Sequence, residues 1–293
     1  MAAGVSYMNS AVETSSENSV HDSDKEAARE IQYSLVPAGG LRVYGAEVAF
    51  RFSPFAEVGG DFLDFFSLPN GLVGLYIGDV VGKGLSAAMY AALVMGTLRG
   101  INKTGEDTPG VLELLNKRLL VRPVRGRYCA TIYALFDPAS RQLAFSNAGM
   151  PHPVLVSQGR FSRLGDGGVP SGIFGGTTYE KYSVRLSPGD SVLFATDGLH
   201  ELRNHRNEDF GWDRLGELWS ECGKKAADES LEHVFAGAKL FSSSSGQFDD
   251  ITAVALTVPV EAEHSARTPL SAAASLCIPE PIVELPVCAA ISL

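Results

Sequence analysis

Acidic residues stand at four separated places in the chain where an apolar run meets a turn. In EVGGDFLDFF, Asp61 follows two glycines, and in YIGDVVGKGLSAAM, Asp79 closes an apolar run ahead of Gly-Lys-Gly. In FATDGLHE, Asp197 precedes a glycine, and in QFDDITAVAL, Asp249 and Asp250 open an apolar run. Aspartate oxygens and water are the preferred shell of Mg2+ or Mn2+, and neighbouring glycines let backbone carbonyls approach closely. In an antiparallel sheet the end of one strand lies beside the start of the next, so acids at such ends can converge although distant in sequence. A single Asp-Gly after a strand is ordinarily a turn. Four such placements in one chain point to a divalent-metal cleft.

Gly-Lys-Gly after an apolar run also raises the question of a phosphate-cradling loop. That loop needs G-x-x-x-x-G-K-[ST], but Gly78 and Gly82 are separated by three residues and Lys83 is followed by Gly84. A carboxylate at Asp79 would also repel a phosphate on this turn unless a cation stood between them.

The elements that must position these acids follow from the pattern. Residues 1–22 are polar and acidic without periodicity and are expected to form a flexible lead. Ser23 and Glu26 have capping-box spacing ahead of KEAAREIQYSLVP, where Ala27, Ile31 and Leu35 predict one amphipathic helix stopped by Pro37. Strand-like runs follow at LRVYGAEVAF, GLVGLYIGD, YCATIYALF, RQLAFSNAG, HPVLVS, SVLFATD and ITAVALTV, with short turns that favour antiparallel pairing. Helical patterns lie at Leu85 to Leu98, at Pro109 to Leu120 behind Thr108 as the expected N-cap, and across WDRLGELWSECG and DESLEHVFAGAKLF. This order predicts an α+β layered domain rather than a doubly wound parallel sheet. The domain is expected over 38–260, preceded by a switch helix at 23–37 and followed by an apolar, proline-containing tail at 261–293.

The chain has 293 residues, 45% of them hydrophobic, and a formal net charge of -10. That balance argues against nucleic acid or an anionic membrane as the main partner. Cys129, Cys222, Cys277 and Cys288 form no C-x-x-C pair, so neither a zinc knuckle nor a thioredoxin-type site is supported, and free thiols in a reducing compartment are expected. With neither a signal peptide nor a membrane-length apolar run in view, the expected location is the cytoplasm.

The ordered set REIQYSLVP, EVGGDFLDFF, GDVVGKGLSAAM, NAGMPHPVLV, FATDGLHELRN and FDDITAVAL resembles the SpoIIE-like bacterial branch of the metal-dependent (PPM-type) protein Ser/Thr phosphatases. The resemblance spans roughly residues 24–258. It implies a four-layer αββα sandwich of two antiparallel sheets and a cleft for two Mn2+ or Mg2+ ions. By the same resemblance the ligands are Asp61, Asp79 as the bridge, the backbone carbonyl of Val80, Asp197 and Asp249, with Asp250 a further candidate. Glu57 and Asp64 would orient water or brace the turn.

The implied reaction is direct hydrolysis of phosphoserine or phosphothreonine by a water that the two ions activate. The implied substrate is a phosphorylated STAS-type anti-sigma-factor antagonist in a partner-switching pathway, with an activator binding near residues 24–37. A non-catalytic phosphoprotein-binding regulator and a small-molecule phosphoesterase are the alternatives. Met150 stands where relatives often carry His, with His152 two residues on, and Ser171 stands where Leu is common. His200 could donate a proton to the leaving group, though a structural histidine is the simpler reading. Lys83 could meet phosphate or an acidic partner, or be a solvated loop lysine. Arg99, Arg122, Arg125 and Arg127 could grip a phosphoprotein or simply be solvated. Cys129, inside a strand pattern, reads as a buried structural thiol.

Overall fold

The computed structural model describes residues 23–102, 105–242 and 247–260. The lead at 1–22, the tail at 261–293 and the thiols Cys277 and Cys288 lie outside the described residues. The chain opens with helix α1 over 23–35. Strands β1 (Leu41–Val43), β2 (Ala46–Ser53), β3 (Phe62–Ser67) and β4 (Val73–Val80) follow, then helices α2 (Leu85–Ile101) and α3 (Thr108–Val121). Next come β5 (Cys129–Asp137), β6 (Gln142–Ala148), β7 (Val154–Ser157), β8 (Arg160–Arg163), β9 (Tyr182–Arg185) and β10 (Ser191–Ala195). Helices α4 (Asp197–His200), α5 (Gly211–Glu221) and α6 (Ala227–Ser242) precede the last described strand, β11 (Ile251–Thr257).

The strands form two sheets with every pairing antiparallel, in the orders β1-β2-β11-β10-β7-β8 and β3-β4-β5-β6-β9. Alternation along the strands sends one set of side chains between the sheets, where Leu63, Leu75, Ile77 and Phe136 join Val192, Phe194, Val254 and Leu256 in one core. The opposite set of the five-stranded sheet, including Tyr76 and Tyr133, packs on Val94, Leu98 and Leu115 of α2 and α3. On the outer face of the six-stranded sheet, Leu193, Ala253 and Ala255 meet Leu215 and Trp219 of α5 and Leu231 of α6. The result is the expected four-layer αββα sandwich. Strand β11 has helices on one face and the second sheet on the other. All seven of its residues are therefore buried, five of them apolar and the other two Thr252 and Thr257.

Several local expectations change. LRVYGAEVAF is two strands, because Gly45 at φ 78° turns the chain after Tyr44. The short strands β8 and β9 lack a clear apolar run and went unpredicted, as did β3, although four of its six residues are apolar. Asp107, not Thr108, caps α3: its Oδ1 accepts from the Gly110 amide at 3.2 Å, while the buried Thr108 hydroxyl meets Ser146. Helix α1 buries Gln32, with Ala28 and Leu35 half-buried, whereas Ala27 and Ile31 of the expected stripe are exposed. Since Ser23 is already helical, it is not the cap.

Candidate metal centre

The register of the two sheets brings the acids to one end of the sandwich. In one sheet Phe62 pairs with Gly78, which sets Asp61, just before β3, beside Asp79 near the end of β4. In the other, Ala195 pairs with Ala253, which sets Asp197, just beyond β10, beside Asp249 and Asp250, just ahead of β11. A hydrogen bond joins the two pairs: Thr196 Oγ1 donates to Asp61 Oδ2 at 2.9 Å. Thr196 is itself held, since its amide donates to the Thr252 carbonyl and its Oγ1 accepts from the Thr252 amide at 3.0 Å.

The electrostatics record how close the acids are. Burial, and then the charges of Asp79 and Asp250, hold Asp61 well above the usual carboxylate range, against the opposing pull of the Thr196 hydroxyl. Asp79 is pushed up to about 7 by burial and by the charges of Asp197, Asp249 and Asp250, while its hydrogen bond with Asp61 opposes the rise. Asp197 is raised by burial and by Asp249, with the Gly198 amide and Lys83 counteracting. Carboxylates drawn from both sheets therefore share an end of the molecule where full ionisation is unfavourable without a cation.

The donor types, carboxylates and backbone carbonyls, are those a divalent ion takes. A methyl group on Gly60 would stand 2.7 Å from the Val80 carbonyl, 3.1 Å from Asp79 Oδ1 and 3.3 Å from the Gly82 carbonyl. The three atoms nearest that point are all oxygens, a setting that suits a hard cation. As placed, however, no three His, Cys, Asp or Glu side chains among the described residues are grouped tightly enough to hold one ion. Asp249 accounts for part of this, because its Oδ2 is 2.9 Å from Lys83 Nζ and its Oδ1 accepts from the Asp250 amide at 2.9 Å.

Asp250 is engaged differently from the other four acids. Its Oδ1 accepts from the Phe55 amide at 2.7 Å and its Oδ2 from the Gly60 amide at 2.6 Å, so both oxygens hold the glycine loop. A side chain on Gly59 would overlap that carboxylate, and one on Gly198 would overlap the Asp250 carbonyl. Asp64 braces, accepting from Arg99 Nε at 2.9 Å and from the Tyr76 hydroxyl at 3.2 Å, while Glu57 lies 3.9 Å from Lys25.

Other singled-out residues have structural partners. Arg127 donates to the Val81 carbonyl and to Ser86 Oγ, clamping the Gly82–Gly84 loop. Arg99 reaches the Leu35 carbonyl at 2.6 Å, so neither arginine is merely solvated. His200 stacks on Trp212 at 4.2 Å, and burial pushes it down to about 4, which disfavours the imidazolium form that a general acid near pH 7 would need. Met150 is in the core, and its backbone is bonded on both sides by the Asn147 amide. Ser171 is buried against the Tyr179 hydroxyl. Cys129 is buried, and burial pushes its thiol up to about 12.

Sequence reasoning missed Thr196 and Gln32. The buried Gln32 of α1 donates Nε2 to the Gly59 carbonyl at 2.7 Å and accepts from the Gly59 amide at 3.1 Å. The available signals were a hydroxyl directly before Asp-Gly and an amide in register with Ala28 and Leu35.

Two facing antiparallel sheets with helices outside are the architecture of PP2C-type (PPM) phosphatase domains. The family model described as Stage II sporulation protein E (SpoIIE) matches residues 69–259, and the chain belongs to that family. Asp79, Asp197 and Asp249 lie inside the matched range, with Asp61 and α1 ahead of it. Protein IcfG of Synechocystis sp. is 27% identical over 85% of this chain and 44% of its own length. Phosphoserine phosphatase RsbU of Bacillus subtilis is 24% identical over 73% of this chain and 64% of its own. The chain thus spans less than two thirds of each of these curated relatives. The SiaA-PP2C domain of Pseudomonas aeruginosa superposes with a TM-score of 0.73 at 21% identity, covering 83% of this chain and 98% of that one, a likeness of fold. No helix among the described residues is long and apolar enough to cross a membrane.

Proposed function

We propose that this chain is a metal-dependent protein phosphatase that hydrolyses phosphoserine or phosphothreonine on a regulatory protein. The observation that carries the reading is the meeting of Asp61, Asp79, Asp197 and Asp249 from two sheets, with the Asp79 carboxyl pushed up to about 7 by burial and its acidic neighbours. In this reading those four carboxylates and the Val80 carbonyl hold two ions, Mn2+ or Mg2+. When bound, the ions supply a water activated near neutral pH and neutralise the phosphoryl oxygens. Asp250 holds Gly60 and Phe55 in place, Thr196 fixes the rotamer of Asp61, and Arg127 fixes the loop after Asp79.

A cleft of about 270 Å3 adjoins Asp249, and Glu201, Arg203, Asn207 and Phe248 on its rim are exposed. Such a rim suits a phosphorylated side chain carried on a protein better than an enclosed small molecule. RsbU is named a phosphoserine phosphatase. That name, with the resemblance of the sequence motifs, supports a STAS-type phosphoprotein as substrate.

We further assign activator binding to α1. An apolar groove of about 180 Å3 is lined by Ala28, Ile31, Leu35, Leu85, Met89 and Met95, and Ile31 and Met89 are exposed by 62% and 67%. A protein seated there would act through Gln32, which bonds Gly59 next to Gly60. The test is phosphate release from a phosphoserine-bearing STAS protein, with and without Mn2+, by the native chain and by Asp79→Ala. Release that requires Mn2+ and vanishes in the variant is expected. A well-folded native chain that releases none from a panel of phosphoproteins would overturn the reading.

A further inference from the structure

We propose that Lys83 is a tethered cation that occupies Asp249 until a divalent ion displaces it, and so sets the affinity of the outer metal position, the more solvent-exposed one at Asp249. The proposal rests on the metal-cleft reading above and adds to it a competitor built into the chain. Both carboxylate oxygens of Asp249 are taken: Oδ2 by Lys83 Nζ at 2.9 Å and Oδ1 by the Asp250 amide at 2.9 Å. The amide belongs to the backbone that starts β11 and is fixed, whereas the ammonium ends a flexible four-carbon stem. Of the two, the ammonium is the group that can leave.

The placement of Lys83 is built rather than incidental. Its ammonium also donates to the Phe248 carbonyl and lies 5.2 Å from the Phe55 ring centroid. The residue sits between Gly82 at φ 97° and Gly84 at φ 69°, on a loop that Arg127 ties down through the Val81 carbonyl and Ser86. The loop therefore presents the side chain to Asp249 from a fixed base. A divalent ion ligated by Asp249 Oδ2 would stand about 2.1 Å from that oxygen, within a few ångströms of the ammonium, and the like charges repel at that distance. The side chain can withdraw into the adjoining cleft, whose lining includes Lys83 itself and the carboxylate of Glu201. Near Asp61 and Asp79 no lysine or arginine bonds a carboxylate oxygen among the hydrogen bonds described, so the competition falls on the outer position.

A purely supporting role for Lys83, holding Asp249 ready for metal, predicts the opposite sign. The full chain, stripped of metal with a chelator, is titrated with Mn2+ in the absence of substrate, and free aqueous Mn2+ is followed by electron paramagnetic resonance. Lys83→Met keeps an unbranched apolar side chain and removes the charge. It is expected to tighten the weaker class of sites roughly fivefold, the scale of a half-exposed ion pair, and to leave the tighter class unchanged. Lys83→Arg, which keeps the charge, is expected to return the weaker class to native affinity. Unchanged or weaker binding by a folded Lys83→Met overturns the proposal while the metal cleft stands. If the native chain binds Mn2+ no better than Asp79→Asn, the metal-cleft reading fails, and this proposal with it.

Discussion

Asp61 and Asp249 carry the same functional group at the same end of the sandwich, yet Asp61 is 2% exposed and bonded to Thr196, whereas the Asp249 side chain is 50% exposed and pairs with a loop lysine. The first belongs to the half of the cluster built by β3 and β4, where burial, a bare Gly60 and a buried hydroxyl leave little freedom. The second belongs to the half built by β10 and β11, which opens onto solvent and the adjoining cleft. Preorganisation lowers the cost of binding where side chains are already fixed. The contrast therefore teaches that an inner ion should be held by a rigid cradle and an outer ion by groups that must first let go of other partners.

The sharpest way to break this comparison is to remove each half separately. Asp79→Asn is expected to abolish Mn2+ binding and to lower phosphate release by at least about 10^3-fold, because under the proposed function Asp79 is the carboxylate that both ions would share. Asp249→Asn should leave one tight ion in a Mn2+ titration and lower release less, by roughly 10^2-fold. Equal loss of both ions in the two variants would dissolve the distinction between halves.

Gly198→Ala attacks the outer half through the backbone. Its new methyl group would overlap the Asp250 carbonyl at the start of β11, where nothing flexible can yield. A loss of about 3 kcal/mol in denaturant unfolding is expected, toward the upper end for overpacking. A stability within 0.5 kcal/mol of native would show that the close approach of α4 and β11 is not required.

Stability of the metal-free protein should also depend on pH. The folded Asp79 carboxyl, at about 7, lies above its ordinary value near 3.8, so between those values the metal-free folded state binds more protons than the unfolded chain. Stability of the metal-free protein should thus fall as pH rises from about 4 to 7, by roughly 2 kcal/mol or about 5 °C in Tm. Asp79→Asn should flatten that slope, and saturating Mn2+ should offset it. A native metal-free Tm independent of pH over this window would show that the inner half is not strained by its own charge.

The smallest effect is expected for Gln32→Ala, which removes two hydrogen bonds to Gly59 and leaves both backbone groups to find other partners. A cost of about 1–2 kcal/mol and a weakening of the tighter Mn2+ site are expected. Unchanged metal affinity would mean that α1 supports the fold without reaching the cradle.

What was legible in the sequence divides along physical lines. Apolar runs long enough to span a buried strand, as at β4, β5 and β11, announced themselves, and so did acids at their ends. The short edge strands β8 and β9 did not, because exposed residues such as Arg160 and Arg163 carry no burial pattern. Helix α1 was found, but its buried face was read one position off: the amide of Gln32 fills a place that hydrophobic periodicity assigns to an apolar side chain. Asp250 and Asp249 are adjacent and chemically identical, and only the bonds from Phe55 and Gly60, nearly two hundred residues away, distinguish brace from candidate ligand.

The position of β11 has a consequence for how the molecule comes into being. This strand lies between β2 and β10, pairs along its full length with β2, and is buried from Ile251 to Thr257. During synthesis, β1 and β2 at one side and β7, β8 and β10 at the other must wait, unjoined, for the strand that separates them. Pairings of such long sequence separation are slow to close and leave strand edges open meanwhile. Asp249 and Asp250 arrive with that same strand, so the cleft and the six-stranded sheet are completed together, and a nascent chain stalled before residue 251 would have neither.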